Sequence, residues 1–439
     1  MRGEAVPHTQ RMRNMRIVFV THFFPYPPDC GGRIGYLNPI KYLSRRNEVV
    51  LISLGNEGDQ AYVPELKKYC AAVHLLTVPI WRQKTRLARG LIVDPPGSAA
   101  KFYDARFGRL IRRCIETYGA DVVELQHLNS AVYLPYIAGA PALLREHNVE
   151  YKVWERHAER VRPGIERLYV RSCARRVRVY EGRMAERFAR CVTVSRADAD
   201  YLRAVAPGAR IATIPSGVDN EYFFPCPAPE DPFSMVMTGS FEWRPKQHNL
   251  RVLIEQVFPR IRARVADAIL TVVGSGVPPE LRRLGEGIAG VRFTGTVPDV
   301  RDYVRRASLV LNYLESGGGI ALKVLEAMAM QKAVLSNVLG IEGIDLERGR
   351  EVFVADGIHG FAEAAALLLR DRAKREQLAR RGCNLVRRQY SWGALAHRFE
   401  ELYSEVSMEY KDRSLPVESV AARNRGGSAS RLQLTGGLH

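Results

Sequence analysis

Residues 315–329, Glu-Ser-Gly-Gly-Gly-Ile-Ala-Leu-Lys-Val-Leu-Glu-Ala-Met-Ala, set a glycine-rich turn directly before a helical pattern that carries Lys323 and Glu326. Glycines let a backbone approach an anion closely, and the free N–H groups of a first helical turn suit phosphate. Lys323 and Glu326 stand three residues apart and share a helix face, the one matched to phosphate charge and the other to sugar hydroxyls. With the amides of Gly317, Gly318 and Gly319 they suit a nucleotide-diphosphate sugar. The same pattern also serves plain packing, and a helical glutamate commonly bonds only water. Other segments have to decide.

Those residues need a scaffold, and the chain supplies a regular one. An apolar run from Met15 to His22 is followed by a Pro/Gly-rich loop containing Gly31 and Gly32, then by a helical pattern over residues 34–43. Further strands are predicted at 48–53, 72–78, 120–126, 142–147, 191–195 and 211–215, separated mainly by helical patterns. A second series follows at 235–239, 269–274, 291–295, 309–313 and 333–337. Strands alternating with helices imply parallel sheets, which bind ligands at the carboxyl ends of their strands. The predicted fold class is therefore α/β, two tandem Rossmann-like doubly wound domains with an interdomain cleft. Four prolines between Pro225 and Pro232 read as a linker. The expected organisation is an N-terminal extension over 1–14, a first domain over 15–224, the linker over 225–232 and a second domain over 233–390. A helix over 391–410 returns to the first domain, and a disordered tail covers 411–439.

Composition narrows the partners. Lys plus Arg exceed Asp plus Glu by 65 − 47 = 18, which implies an anionic partner: nucleic acid, a membrane surface or a phosphorylated substrate. The seven cysteines are scattered, without Cys-x-x-Cys or paired Cys/His spacing, so a reducing cytoplasm is expected, with no zinc site. A nucleotide-sugar co-substrate is expected to need no metal and no other cofactor. No run reaches the ~18 apolar residues of a spanning helix, and no signal peptide is evident. Residues 81–113 and 155–190 interleave arginines with Trp81, Leu87, Phe102, Tyr103 and similar side chains. They read either as a peripheral contact with anionic lipid on the inner face of the cell membrane or as a solvated Arg-rich face.

Six ordered segments carry a resemblance. Pro28-Asp-Cys-Gly-Gly-Arg33, Glu146-His-Asn-Val-Glu150, Val194-Ser195, Ile214-Pro-Ser-Gly-Val-Asp219, Val273-Gly-Ser-Gly276 and Lys323-Val-Leu-Glu-Ala-Met-Ala329 together resemble glycosyltransferase family 4, the retaining enzymes of the GT-B fold. The likeness spans about residues 15–405 and points to the bacterial branch associated with exopolysaccharide assembly. It implies that Gly31 and Gly32 bring backbone amides to the reaction centre, that His147 lines the sugar site, and that Glu326 binds ribose hydroxyls. It implies also that a basic pair clamps the diphosphate. Lys246 fits the lysine of that pair, whereas the arginine falls on Ser240 and leaves Arg244 as the nearest replacement. The first of the family's two motif glutamates falls on Gly318, with Glu315 three residues earlier as a partial substitute.

The implied function is transfer of a sugar, with retention, from a nucleotide-diphosphate donor to a lipid-linked or glycan acceptor. Two rivals stand beside it: a non-catalytic GT-B partner or scaffold subunit, which the Gly318 departure keeps open, and a nucleic-acid-binding protein, suggested by charge but lacking any recognisable nucleic-acid motif.

Overall fold

The computed structural model describes residues 14–79, 96–242, 244–315 and 320–414. Seven strands form the first sheet: β1 (Arg16–Thr21), β2 (Glu48–Gly55), β3 (Ala72–Thr77), β4 (Val122–Gln126), β5 (Ala142–Glu146), β6 (Arg190–Thr193) and β7 (Ile211–Thr213). Their order is β3-β2-β1-β4-β5-β6-β7, and every pairing is parallel. β1, β2, β4 and β5 are buried almost throughout, as expected of strands covered by helices on both faces.

The second sheet has six strands: β8 (Ser234–Thr238), β9 (Ile269–Val273), β10 (Val291–Gly295), β11 (Leu309–Asn312), β12 (Val334–Ser336) and β13 (Phe353–Val354), ordered β10-β9-β8-β11-β12-β13. The sequence pattern predicts the first five of these. β13 is only two residues long, too short for a period-two signal.

Two helices depart from their predicted bounds. The first helix runs Gly31–Leu43, so both loop glycines belong to its first turn rather than to the loop before it. The terminal helix runs Trp392–Ser414 instead of ending at residue 410. Its last turns are held by ion pairs: Glu405 and Glu409 to Arg190, Glu409 to Arg210, and, past the expected end, Lys411 to Asp121 at 3.0 Å. Residues 411–414, expected in a disordered tail, are helical for that reason. Residues 1–13 and 415–439 of the expected extension and tail lie outside the described residues.

The terminal helix covers one face of the first sheet. Trp392, Leu395, Phe399 and Tyr403 pack with Ile17, Phe19, Leu143 and Val192 in a single buried cluster. The chain crosses between the sheets twice, and the crossings are joined: Val218 N donates to Tyr390 O at 2.7 Å, and Trp392 N donates to Val218 O at 3.1 Å. Gly217 is required here, because a Cβ would lie 2.6 Å from Leu395 and 2.8 Å from the Tyr390 carbonyl. Next to it, Asp219 accepts from Lys41 Nζ (2.6 Å) and Tyr42 Oη (2.7 Å) of the first helix. Burial alone would push the Asp219 carboxyl up, but these donors more than offset it and hold the group below its ordinary value.

Candidate functional site

In the second sheet, the helix Leu322–Ala329 follows β11 and presents Lys323 and Glu326 one turn apart. Burial, with Lys246 adding repulsion, pushes the Lys323 ammonium down to about 8, against the opposing pull of Glu326. Burial likewise pushes the Glu326 carboxyl up to about 7 despite the nearby Lys323. The electrostatics thus bring three predicted residues together. Lys246 lies in the helix Arg244–Val252, of which Arg244 is the exposed first residue. Gly317, Gly318 and Gly319 lie outside the described residues.

Close backbone approach builds this corner. At Gly274, φ is +137° and a Cβ would lie 1.7 Å from the Gly239 carbonyl; at Gly276, φ is +75° and a Cβ would lie 2.6 Å from Glu242 N. Only glycine fits either place, so the loop after β9 presses directly on the loop that leads into the helix of Arg244 and Lys246. Two asparagines that sequence reasoning passes over fix the approach to the glycine turn. Asn249 Oδ1 accepts from Glu315 N at 2.9 Å, and Asn337 both accepts from Leu314 N (3.2 Å) and donates to Leu314 O (2.6 Å). For Asn249 the available signal was an asparagine inside a helical run; Asn337, just past β12, offered none. Glu315 itself accepts from the Tyr313 hydroxyl, which turns its carboxylate toward its own domain.

In the first sheet, the ends of the adjacent strands β1, β4 and β5 each deliver a histidine. His22 and His127 have ring centroids 5.0 Å apart, and His147 lies 5.0 Å from the Tyr36 ring that also contacts His22. His22 was not singled out in the sequence, although it ends an apolar run as the other two do. His127 adopts φ 73°, an uncommon backbone for a side-chain-bearing residue, with Nδ1 accepting from Asn129 N and Nε2 3.0 Å from Glu150. Burial first, then the charge of Arg145, holds the His147 pKa well below its usual value, so its ring is neutral. The first helix abuts this cluster: a Cβ on Gly35 would lie 3.2 Å from His147, and one on Gly32 3.0 Å from Phe23. At Gly31 such an atom would meet nothing within 4 Å.

The two halves face a common cleft. Asn148, Lys152 and Ser195 line it from the first sheet, and Ile320, Glu342 and Gly343 from the second. Asn148 adjoins His147, and Ile320 leads into the helix of Lys323 and Glu326. Arg156 bridges the cleft to Glu342 at 2.7 Å.

Two family profiles match the chain in tandem, Glycosyltransferase Family 4 over residues 34–222 and Glycosyl transferases group 1 over residues 232–371. The chain belongs to the family 4, group 1 glycosyltransferases. In this glycosyltransferase His147 falls within the first match, and Lys246, Lys323 and Glu326 fall within the second. Gly31 and Gly32 precede both. A phosphatidyl-myo-inositol mannosyltransferase of Mycolicibacterium smegmatis is 28% identical over 234 residues, 51% of this chain and 58% of that protein. The match therefore spans little more than half the length of that relative.

Solved structures agree on the GT-B fold. Sucrose-phosphate synthase from Thermosynechococcus elongatus superposes with a TM-score of 0.64 at 18% identity, over 90% of this chain and 99% of that one. Anabaena HepE in complex with UDP-glucose gives 0.62 at 15% identity, over 89% and 100%. Among the described residues no helix is long and apolar enough to cross a membrane, and no group of side chains forms a metal site.

Proposed function

We propose that this transferase moves a sugar, with retention, from a nucleotide-diphosphate donor to a lipid-linked or glycan acceptor in cell-envelope polysaccharide or glycolipid synthesis. The observation that carries the reading is the electrostatic coupling of Lys246, Lys323 and Glu326 in the second domain, two of them on the helix that follows cleft-lining Ile320. The lysines would take the charge that builds on the leaving diphosphate, and Glu326 would hold the ribose hydroxyls. The reading assigns no carboxylate nucleophile. It takes the reaction as same-face attack within an ion pair, where positioning and phosphate stabilisation dominate. Gly31 and Gly32 are assigned to substrate binding on the strength of their family positions, and Arg244 and Glu315 as the nearest replacements for family residues that fall on Ser240 and Gly318.

Thermal stabilisation by UDP and GDP, followed by nucleotide release from a panel of donors, tests the reading. Glu326→Ala is expected to weaken donor binding or turnover at least tenfold, about 1.4 kcal/mol, with the fold intact. Wild-type kinetics in that variant would remove the ribose assignment. A second reading, a non-catalytic partner subunit, is favoured by Gly318 standing where the family has its first glutamate. Nucleotide binding without release from any donor would support it.

Peripheral attachment to anionic membranes is part of the proposal. On the helix Ile165–Ala185, Ile165 is 87% exposed, Leu168 66% and Tyr169 46%, with arginines interleaved. The basic surface is narrower than the sequence implies: Arg156, Arg178 and Arg190 are held in ion pairs with Glu342, Glu155 and Glu405/Glu409, and residues 81–95 lie outside the described residues. A few basic residues at about 1 kcal/mol each would still hold the protein at a surface. Co-sedimentation with anionic vesicles, reversed by salt, is the expected result. Equal binding to neutral vesicles would overturn it.

A further inference from the structure

A line of buried polar side chains runs from the terminal helix to His147. Period-two alternation puts Glu124 and Gln126 of β4 on one face, and the register of β4 with β5 sets Gln126 opposite Arg145, so Arg145 and His147 continue that face. This is the face covered by the terminal helix. Its other members, Val122, Leu143 and Val192, are apolar and fully buried. Polar groups there are costly unless each is satisfied by a partner. Glu124, Gln126 and Arg145 are fully buried all the same.

The partners form an ordered chain. The Tyr403 hydroxyl donates to Glu124 Oε2, Gln126 Nε2 donates to Glu124 Oε1, and Gln126 Oε1 lies 2.8 Å from His147 Nε2. Burial pushes the Glu124 carboxyl up, while Arg145, Tyr403 and Gln126 act against it. Arg145 is the counter-charge. None of its guanidinium nitrogens makes a hydrogen bond among the described residues, and it sits against Phe399 (4.5 Å) and Trp392 (5.6 Å) of the same terminal helix.

The directions of these bonds fix a proton. With Glu124 ionised opposite the Arg145 charge, its carboxylate accepts only, and the Gln126 amide turns its NH₂ to Glu124 and its oxygen to His147. That oxygen also accepts only, so the neutral imidazole must carry its proton on Nε2. Nδ1 is then the lone-pair nitrogen, lying beside Gly35, where a Cβ would come within 3.3 Å of it.

We infer that Tyr403, Glu124 and Gln126 are positioning residues that hold His147 in its Nε2–H form and so present Nδ1 as a hydrogen-bond acceptor to a substrate hydroxyl. The inference rests on the sugar-transfer reading of the site for its function, but not for its structure. It makes the terminal helix, 279 residues away from Glu124 in sequence at Tyr403, part of the apparatus that sets the site.

The test is ¹⁵N NMR of histidine-labelled full-length protein at neutral pH, with the His147 signals assigned by their loss in His147→Gln. The wild-type ring is expected to be neutral with Nε2 protonated. Gln126→Met removes the acceptor, and its His147 signals should move toward an average of both tautomers. Tyr403→Phe keeps the ring and its packing, and should shift the signals in the same direction. Turnover is measured on the same samples, with melting temperature as the check on fold. In both variants kcat should fall about tenfold with little change in KM, as for partners standing behind a functional histidine. Protonation on Nδ1 in the wild type, or signals unmoved by Gln126→Met, would overturn the relay. Shifted signals with unchanged kcat would overturn the positioning role. A pinned tautomer in a protein that turns over no donor would instead sink the sugar-transfer reading and leave the relay standing.

Discussion

Lys246→Ala is expected to lower kcat about a hundredfold while leaving KM for the donor nearly unchanged. The reason is where the charge goes. As the glycosidic bond breaks, the diphosphate gains negative charge, and a cation poised beside it acts more strongly on the transition state than on the bound donor. Lys246 is exposed, yet its charge reaches Lys323, whose ammonium is pushed down to about 8 by burial and by Lys246. Removing Lys246 therefore raises the Lys323 pKa. This gives an independent readout from the pH dependence of nucleotide binding. Glu326 is ionised only above about 7 and Lys323 is cationic only below about 8, so affinity should be greatest between those values and fall on both sides. In Lys246→Ala the alkaline limb should move to higher pH. Calorimetric titration with UDP or GDP across that range checks the shift. If KM rose and kcat held, Lys246 would be a ground-state anchor. An unmoved alkaline limb would separate Lys246 from Lys323 altogether.

His147→Ala should lower kcat/KM about 30-fold, roughly 2 kcal/mol, in a protein that stays folded. The loss combines the vanished Nδ1 acceptor with Gln126 Oε1 left without its donor in a buried position. His147→Asn should recover only part of it, because a shorter amide can satisfy Gln126 without reaching the site. Steady-state kinetics with saturating acceptor are the measurement. Activity in His147→Ala equal to wild type would assign the histidine to packing against Gly35 and Tyr36.

The part of this architecture that was legible in sequence was the part written locally. Strand-helix alternation announced both sheets because each βαβ unit repeats a short pattern, and Lys323 and Glu326 could be placed on one helix face by spacing alone. The helix start at Gly31 was masked by glycines that lack a helical signature, and the extra turn past residue 410 depends on Asp121, which is distant in sequence. The same limit hid the rest of the site. Glu124 and Gln126 look like polar residues on an exposed strand face until Tyr403 closes over them. Asn249 and Asn337 acquire meaning only when the loop at 313–315 lands between them.

The packing of the terminal helix also dictates an order of events during synthesis. The sheet built by residues 16–213 cannot bury Ile17, Phe19, Leu143 and Val192 until Trp392, Phe399 and Tyr403 have been made. At roughly 5–20 residues per second, a wait of about 10–40 s separates the last strand of that sheet from its cover. During that interval the nascent chain carries an open apolar face and an uncovered Arg145 beside Glu124. The half of the protein that is translated first is thus the half whose core closes last.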